Sequence, residues 1–345
     1  MQVVDQVVPG ELDVVGVGNA IVDVVAQTGD EFLARHSLIK GAMRLIDETE
    51  AQALYKAMAP AQETSGGSAA NTMAGVASLG GRPAYIGRVR RDQLGEIFCH
   101  DLRAIGVQLA VATASSGAPT ARCLILVTPD AQRTMNTYLG ACVDLGPEDI
   151  DEELVRRGKV TYLEGYLWDR PRAKEAFLHA ARLAAAADRQ VALSLSDSFC
   201  VDRHRESFLE LVSHHVDILF ANEAEIKSLY QTDSFEAAAQ CAREHTSLAV
   251  LTRGAKGSLL LAGSGQVEIA AEPLSSVVDT TGAGDLYAAG VLFGMTHGQS
   301  LAESGRRGAI AAAEVIGHYG ARPATQLAEL TQRALHPRAL SSKQP

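Results

Sequence analysis

The segment Val277-Val278-Asp279-Thr280-Thr281-Gly282-Ala283-Gly284-Asp285 has the residue types of a site for anion chemistry. An apolar run leads into a Gly-Ala-Gly turn, and Leu286-Tyr287-Ala288-Ala289-Gly290 opens a predicted helix. The first N–H groups of a helix have no partner inside it and point at whatever lies before it. With the helix dipole they make an anion site. Gly282 and Gly284, with Ala283 between them, let an anion approach bare backbone. Asp285 then stands where a carboxylate can take the proton of a hydroxyl that attacks a phosphoryl group. Alone, a G-x-G-D could be only an acidic residue in a first helical turn. Nine consecutive residues of suitable type make the chemical reading the stronger one.

Ser65-Gly66-Gly67-Ser68-Ala69-Ala70-Asn71-Thr72 opens another predicted helix, which ends near Leu79-Gly80-Gly81. Its paired glycines again allow a ligand close to the backbone, and Asn71, one turn in, can hydrogen-bond a polyol. The same residues also read as a glycine turn with a serine cap. Other searches fail. Gly16-Val17-Gly18 lacks the third glycine of a dinucleotide fingerprint, and Gly254-Ala255-Lys256-Gly257-Ser258 has the wrong spacing for a phosphate-binding G-x-x-x-x-G-K-[ST]. There is no H-E-x-x-H or G-x-S-x-G, and His214-His215 and His318 stand isolated.

Together, Gly66–Asn71 and Asp279–Asp285 resemble the two signatures of the ribokinase-like (PfkB) carbohydrate and nucleoside kinases, in order and in separation. The resemblance runs from about Leu12 to about Pro323. It implies that Asp285 is the catalytic base and that Gly282, Ala283 and Gly284 form the anion hole. Asn222-Glu223-Ala224-Glu225 resembles the family's N-x-x-E, which implies magnesium held largely through water by Asn222 and Glu225. The same four residues also read as a capping box, and both can hold at once. Thr252-Arg253-Gly254-Ala255-Lys256-Gly257 resembles the T-x-G-x-x-G loop against the nucleotide, which implies ATP contacts at Thr252, Gly254, Gly257 and Asn222. Gln132-Arg133-Thr134 resembles the segment where these kinases offer an arginine to the phosphates. A planar guanidinium suits that role, and an ordinary surface arginine is the other reading of Arg133. The family also implies a potassium site near Asp279 and Thr281. One departure stands out: between Gly87 and Asp92, where the family often has a glycine and an acid, this chain has Arg88-Val89-Arg90-Arg91, read as a surface loop.

The first predicted strand ends in Gly18-Asn19-Ala20-Ile21-Val22-Asp23. Asp23 can accept hydrogen bonds from two vicinal hydroxyls, since both carboxylate oxygens are acceptors. The spacing G-N-x-x-x-D is similar to the adenosine kinase branch. That implies a ribose on Asn19, Asp23, Gly67, Ser68 and Asn71. A purine needs an apolar slot. Met43, Leu45 and Tyr166 are the candidates, although Tyr166 and Trp168 read equally as packing residues at a strand end. The resemblance thus implies ATP-dependent phosphorylation of a ribonucleoside 5′-hydroxyl, adenosine to AMP first. A sugar kinase acting on ribose, fructose or a sugar acid is the alternative. A non-catalytic nucleotide-binding module would have lost Asp285 or its glycines, and neither is lost.

These segments need a frame, and the apolar pattern supplies one. Strands are expected at Leu12–Val17, Val22–Ala26, Cys123–Thr128, Val160–Leu163, Val191–Leu195, Val216–Phe220, Leu248–Thr252 and Ser258–Leu261. Helices are expected at 48–59, 68–79, 92–105, 171–187, 203–214, 223–230, 234–244, 284–296 and 302–317. Strands and helices alternate from 160 to 252, which predicts an α/β fold with a mainly parallel sheet and helices on both faces. The first 145 residues are less regular. Strands near 122–128 and 134–139, with Pro129-Asp130 between, predict a small β-lid on a single kinase domain spanning 1–345, the lid drawn from about 19–48 and 118–142. Lys plus Arg number 31 against 41 Asp plus Glu, a net charge of −10. Such a chain is a poor partner for nucleic acid or an anionic membrane. Five scattered cysteines without C-x-x-C, no signal peptide and no long apolar stretch predict a cytoplasmic protein, and the family resemblance implies a monomer or homodimer.

Overall fold

Strands buried on both faces belong at the centre of a parallel sheet. Leu12–Val17 (LDVVGV) is one, buried at every position. The computed structural model, which describes residues 2–4, 10–130, 132–263 and 265–335, places it within a ten-stranded sheet. From one edge the order is Gln2–Val4, Gln108–Ala114, Pro83–Arg90, Leu12–Val17, Gly158–Glu164, Gln190–Ser194, Ile218–Asn222, Leu248–Thr252, Ser258–Ala262 and Gly265–Ile269. The strands from Gln108–Ala114 to Leu248–Thr252 run parallel. Both margins are antiparallel.

Alternate residues of each strand feed two cores. Val15, Val17, Val191 and Leu193 pack under Pro171–Ala186, Ser198–His215 and Phe235–His245. Val14, Val160, Ala192 and Val250 pack under Ser68–Ser78, Gln93–Ala104 and Ala283–Thr296. This is the mainly parallel, doubly covered α/β sheet that the alternation predicts.

Five shorter strands form a second sheet, in the order Met43–Leu45, Arg133–Tyr138, Ala121–Val127, Ile21–Gln27, Gln62–Gly66. Its register sets Asp23 beside Cys123, Ile125 beside Met135, Val127 beside Arg133, Met43 beside Met135 and Leu45 beside Thr137. Residues in register share a face. So Asp23, Ile125, Arg133, Met43 and Leu45 all stand on one side. Val22, Val24, Leu124 and Leu126 bury the other side against Leu33, Leu38, Ala51 and Leu54.

Several elements differ from the sequence expectation. Pro83–Arg90 is a strand, so Arg88 and Arg90 lie in the sheet and not on a surface loop. A proline, a glycine and two arginines hide its apolar pattern. Arg88 is engaged by Asp149, with Nη1 donating to both oxygens at 3.0 and 2.8 Å. Gln62–Gly66 pairs by position and not by β-propensity. Gln108–Ala114 and Gly265–Ile269 are also strands beyond the expectation. The helix expected at 203–214 is preceded by a short helical stretch from Ser198, which Asp197 caps by accepting the Cys200 N–H at 2.6 Å, with a kink at His204 between them.

The chain fills the sheet to one side of Leu12–Val17 and then crosses to Gly158–Glu164 on the other side. Open α/β sheets bind ligands at such a reversal, beyond the carboxyl ends of the strands. Among the described residues no helix is long and apolar enough to cross a membrane. None of the five cysteines forms a disulfide.

Candidate active site

Helix Ala283–Thr296 begins at this crevice with Gly282 as its cap. Gly282 sits at φ +79, and a Cβ there would lie 2.8 Å from Ala321. The fold therefore requires that glycine. Gly284 differs, since a Cβ on it would meet no atom within 4 Å and the residue is exposed. Protein packing does not demand a bare backbone there, whereas an incoming anion would.

Asp285 follows in the first turn. Its Oδ1 accepts the Ser68 hydroxyl at 2.6 Å and its Oδ2 accepts Asn71 Nδ2 at 3.0 Å. Burial raises its pKa, while the two hydrogen bonds and the nearby Arg322 guanidinium pull it down. Asn71 Oδ1 is buried and accepts nothing from the protein. An orphan acceptor beside a carboxylate suits a hydroxyl-bearing ligand, because leaving it unpaired costs about 1–3 kcal/mol.

Asp23 lies on the second sheet with its carboxylate against the backbone of Gly66, where any Cβ would come within 2.5 Å of it. Burial pushes its pKa up to about 6, against the fields of Arg322 and Arg133. Arg322 donates to Ser65 O and Ala70 O, at 3.0 and 2.7 Å, and so ties down the glycine turn. Gly67 holds φ +93 in that turn.

Asn19 is 1% exposed, its Nδ2 donates to Glu164 Oε1 at 2.8 Å, and its Oδ1 accepts the Cys142 thiol at 3.0 Å. With both ends of its amide engaged, Asn19 ties this strand end to Glu164 and Cys142. Glu164 also accepts the Ala69 N–H at 2.8 Å, so it clamps the strand end Asn19 to the helix that carries Ser68 and Asn71. Burial raises its pKa to about 7. Glu164 is a site residue beyond the sequence expectation, although an acid closing the apolar strand Val160–Leu163 is a usable signal. Arg322, in a Gly-Ala-Arg-Pro turn, carries no such signal.

Asp279 Oδ1 accepts the Thr281 N–H and hydroxyl at 3.0 and 2.7 Å. Asp279 Oδ2 accepts the Gly320 N–H at 2.9 Å and pairs with Arg133 Nη1. Arg133 Nη1 also donates to Thr281 Oγ1 at 3.3 Å, and its buried Nε has no partner. Arg133 is therefore an interior cation joining the second sheet to the turn before the helix.

Asn222 and Thr252 are neighbours in register at the carboxyl edge of the main sheet. Asn222 caps the next helix reciprocally with Glu225: Glu225 N donates to Asn222 Oδ1 at 2.9 Å, and Asn222 N donates to Glu225 Oε2 at 2.9 Å. Burial raises the Glu225 pKa to about 7, and Asp197 and Asp285 push the same way. The loop beyond Thr252 turns at Gly254 (φ +57) and Gly257 (φ +84). Tyr166 is 37% exposed, and its pKa is raised by burial and by the fields of Asp197, Asp285 and Glu225. Trp168, by contrast, is buried on Phe208 with ring centroids 5.6 Å apart. Met43 is 49% exposed. It stands three strand steps from Asp23, roughly 14 Å at ~4.8 Å per step.

Comparison with known proteins gives the arrangement a family. Residues 42–327 match the model of the pfkB family of carbohydrate kinases. The chain is 53% identical to the adenosine kinase from Sinorhizobium meliloti, covering 94% of this chain and 100% of that one with a TM-score of 0.87. It is 51% identical to a probable sugar kinase from Rhizobium etli, covering 94% and 99%, with a TM-score of 0.88. Among curated relatives, a 5-dehydro-2-deoxygluconokinase from Geobacillus thermodenitrificans is 26% identical over 265 residues, 74% of this chain and 79% of that one. With a carboxylate at the mouth of a glycine-opened helix and the match over most of its length, the chain belongs to the pfkB carbohydrate kinase family and is a phosphotransferase acting on an alcohol group.

Proposed function

We propose that the enzyme transfers the γ-phosphoryl group of ATP to the 5′-hydroxyl of a ribonucleoside, adenosine first, giving AMP. The observation that carries the nucleoside over a plain sugar is the apolar side of the second sheet. Met43, Leu45, Ile125 and Met135 share that side with Asp23. A ribose bound at Asp23 leaves its base facing apolar groups, and a sugar alone would leave them facing water. The 53% identity to an adenosine kinase supports the same choice.

Asp23 accepts the ribose hydroxyls, and Asn71 Oδ1 takes a further donor. Asp285 removes the 5′-hydroxyl proton as the oxygen attacks. The amides of Gly282, Ala283 and Gly284 offset charge on the phosphoryl group in transfer. Arg133 Nε–H is the spare donor facing the phosphates. Thr252, Gly254 and Gly257 bed the nucleotide. Among the described residues no cluster of acids forms a ready metal site; Asn222 and Glu225, the latter in the fields of Asp197 and Asp285, would hold a magnesium ion only through water. When bound, it neutralises phosphate charge. The side chains of Asp279 and Thr281 are already engaged by Arg133 and do not fit a potassium ion, so none is given a part. The second sheet acts as a lid that excludes water from the reaction, in a cytoplasmic enzyme.

Turnover with ATP and adenosine, guanosine, inosine, ribose or fructose tests this. We expect kcat/KM to be highest for adenosine. Ribose or fructose used as well as adenosine would replace the nucleoside reading with the sugar kinase one.

A further inference from the structure

The turn before helix Ala283–Thr296 contains a buried carboxylate whose charge must be balanced. Asp279 has a side chain 4% exposed, and the side chain of Arg133, which pairs with it, is 9% exposed. A carboxylate has about four acceptor positions. Thr281 N–H and Oγ1 fill two on Oδ1, and Gly320 N–H and Arg133 Nη1 fill two on Oδ2. Thr281 Oγ1, the other side-chain oxygen suited to a cation, also faces Arg133 Nη1 at 3.3 Å. A guanidinium therefore covers both side chains on which the family resemblance sets a potassium ion. Two cations cannot share one buried carboxylate without strong repulsion.

We propose that Arg133 is the resident cation of the anion-hole turn, seated on Asp279 in place of a monovalent metal ion, so that the enzyme needs no potassium. Arg133 comes from strand Arg133–Tyr138 of the second sheet, and Asp279 precedes the catalytic helix in the main fold. The charge that sets the turn is thus delivered by the second sheet itself. A metal ion would leave the turn set whatever the position of that sheet. With Arg133 as the cation, the turn takes its final charge balance only when the two sheets are together. The Nε–H of Arg133 is buried without a partner, a donor that an anion reaching it would satisfy while Nη1 holds Asp279. One side chain can thereby serve both groups.

The test compares potassium chloride with tetramethylammonium chloride at equal ionic strength. One readout is the melting temperature of the ligand-free protein, and the other is turnover. Only the turnover readout rests on the kinase reading above; melting reports even if no substrate is found. The wild type is expected to melt and turn over alike in both salts. Arg133→Ala is expected to melt lower in tetramethylammonium and to regain roughly 2 °C or more in potassium. Its turnover should likewise rise with potassium and not with tetramethylammonium. Arg133→Lys keeps a positive charge and is expected to respond to potassium no more than the wild type, which covers the case where the alanine variant does not fold. Potassium-specific stabilisation or activation of the wild type would overturn the proposal. So would an Arg133→Ala protein that folds and ignores potassium.

Discussion

Asp285 is held by Ser68 and Asn71 at 2.6 and 3.0 Å, which fixes its two oxygens before any substrate arrives. Replacing it by asparagine keeps the shape and removes the carboxylate proposed as the base. Asp285→Asn is expected to lower kcat by at least ~10²-fold, with ATP still bound in a calorimetric titration. Near-normal turnover would remove Asp285 from the reaction. Because burial raises the Asp285 pKa and the base acts deprotonated, the rate should fall as pH drops through that raised value. Glu164 makes a separate prediction about stability. Burial moves its pKa from 4.5 to about 7. The folded chain therefore binds more protons than the unfolded chain within that window, and this residue's contribution to stability falls as pH rises through it. Glu164→Gln leaves one of the Asn19 and Ala69 donors unmatched, at about 1–3 kcal/mol. The penalty, read by urea unfolding, should be larger at pH 5 than at pH 8. An equal penalty at both would mean that Glu164 does not titrate there.

At the scale of elements, the glycines before the catalytic helix separate into two kinds. Gly282→Ala forces a left-handed alanine against Ala321 and is expected to cost about 1–2 kcal/mol in thermal unfolding. Gly284→Ala meets open space and should melt no lower, since alanine is the better helix former by ~1 kcal/mol. Its turnover should nonetheless drop, because the methyl group stands where the phosphoryl group must come. Full activity in Gly284→Ala would mean that no ligand approaches that backbone. Local sequence revealed these elements unevenly. Leu12–Val17, Leu248–Thr252 and the helix after Gly282 are legible because their periodicity and turn residues agree. Pro83–Arg90 is not, since the acid that engages Arg88, Asp149, lies 61 positions on in the chain. The residues Ser68, Asn71 and Asp285 were legible as types. Their meeting was not, because it depends on how two helices cross one crevice. The bond from Asn19 to Glu164 was not legible either, because that acid lies 145 positions on.

For the whole molecule, the net charge of −10 turns polyanions away in general, so a nucleotide would have to be met by placed local donors such as the Gly282–Gly284 amides. Asp23 comes from one sheet and Asp285 from the helix packed on the other, so a nucleoside bound to both ties the two sheets together. Adenosine at about 100 times its Kd should therefore stabilise the protein by ~2.7 kcal/mol, seen as a higher melting temperature, with ribose giving less. No shift with adenosine would count against a nucleoside at Asp23. The bond from Ser68 to Asp285 spans 217 positions. On a ribosome adding roughly 5–20 residues per second, Ser68 and Asn71 leave some 10–40 s before Asp285 is made. A synthesis cut short before Asp285 would therefore make a fragment that lacks the proposed base and cannot spend ATP.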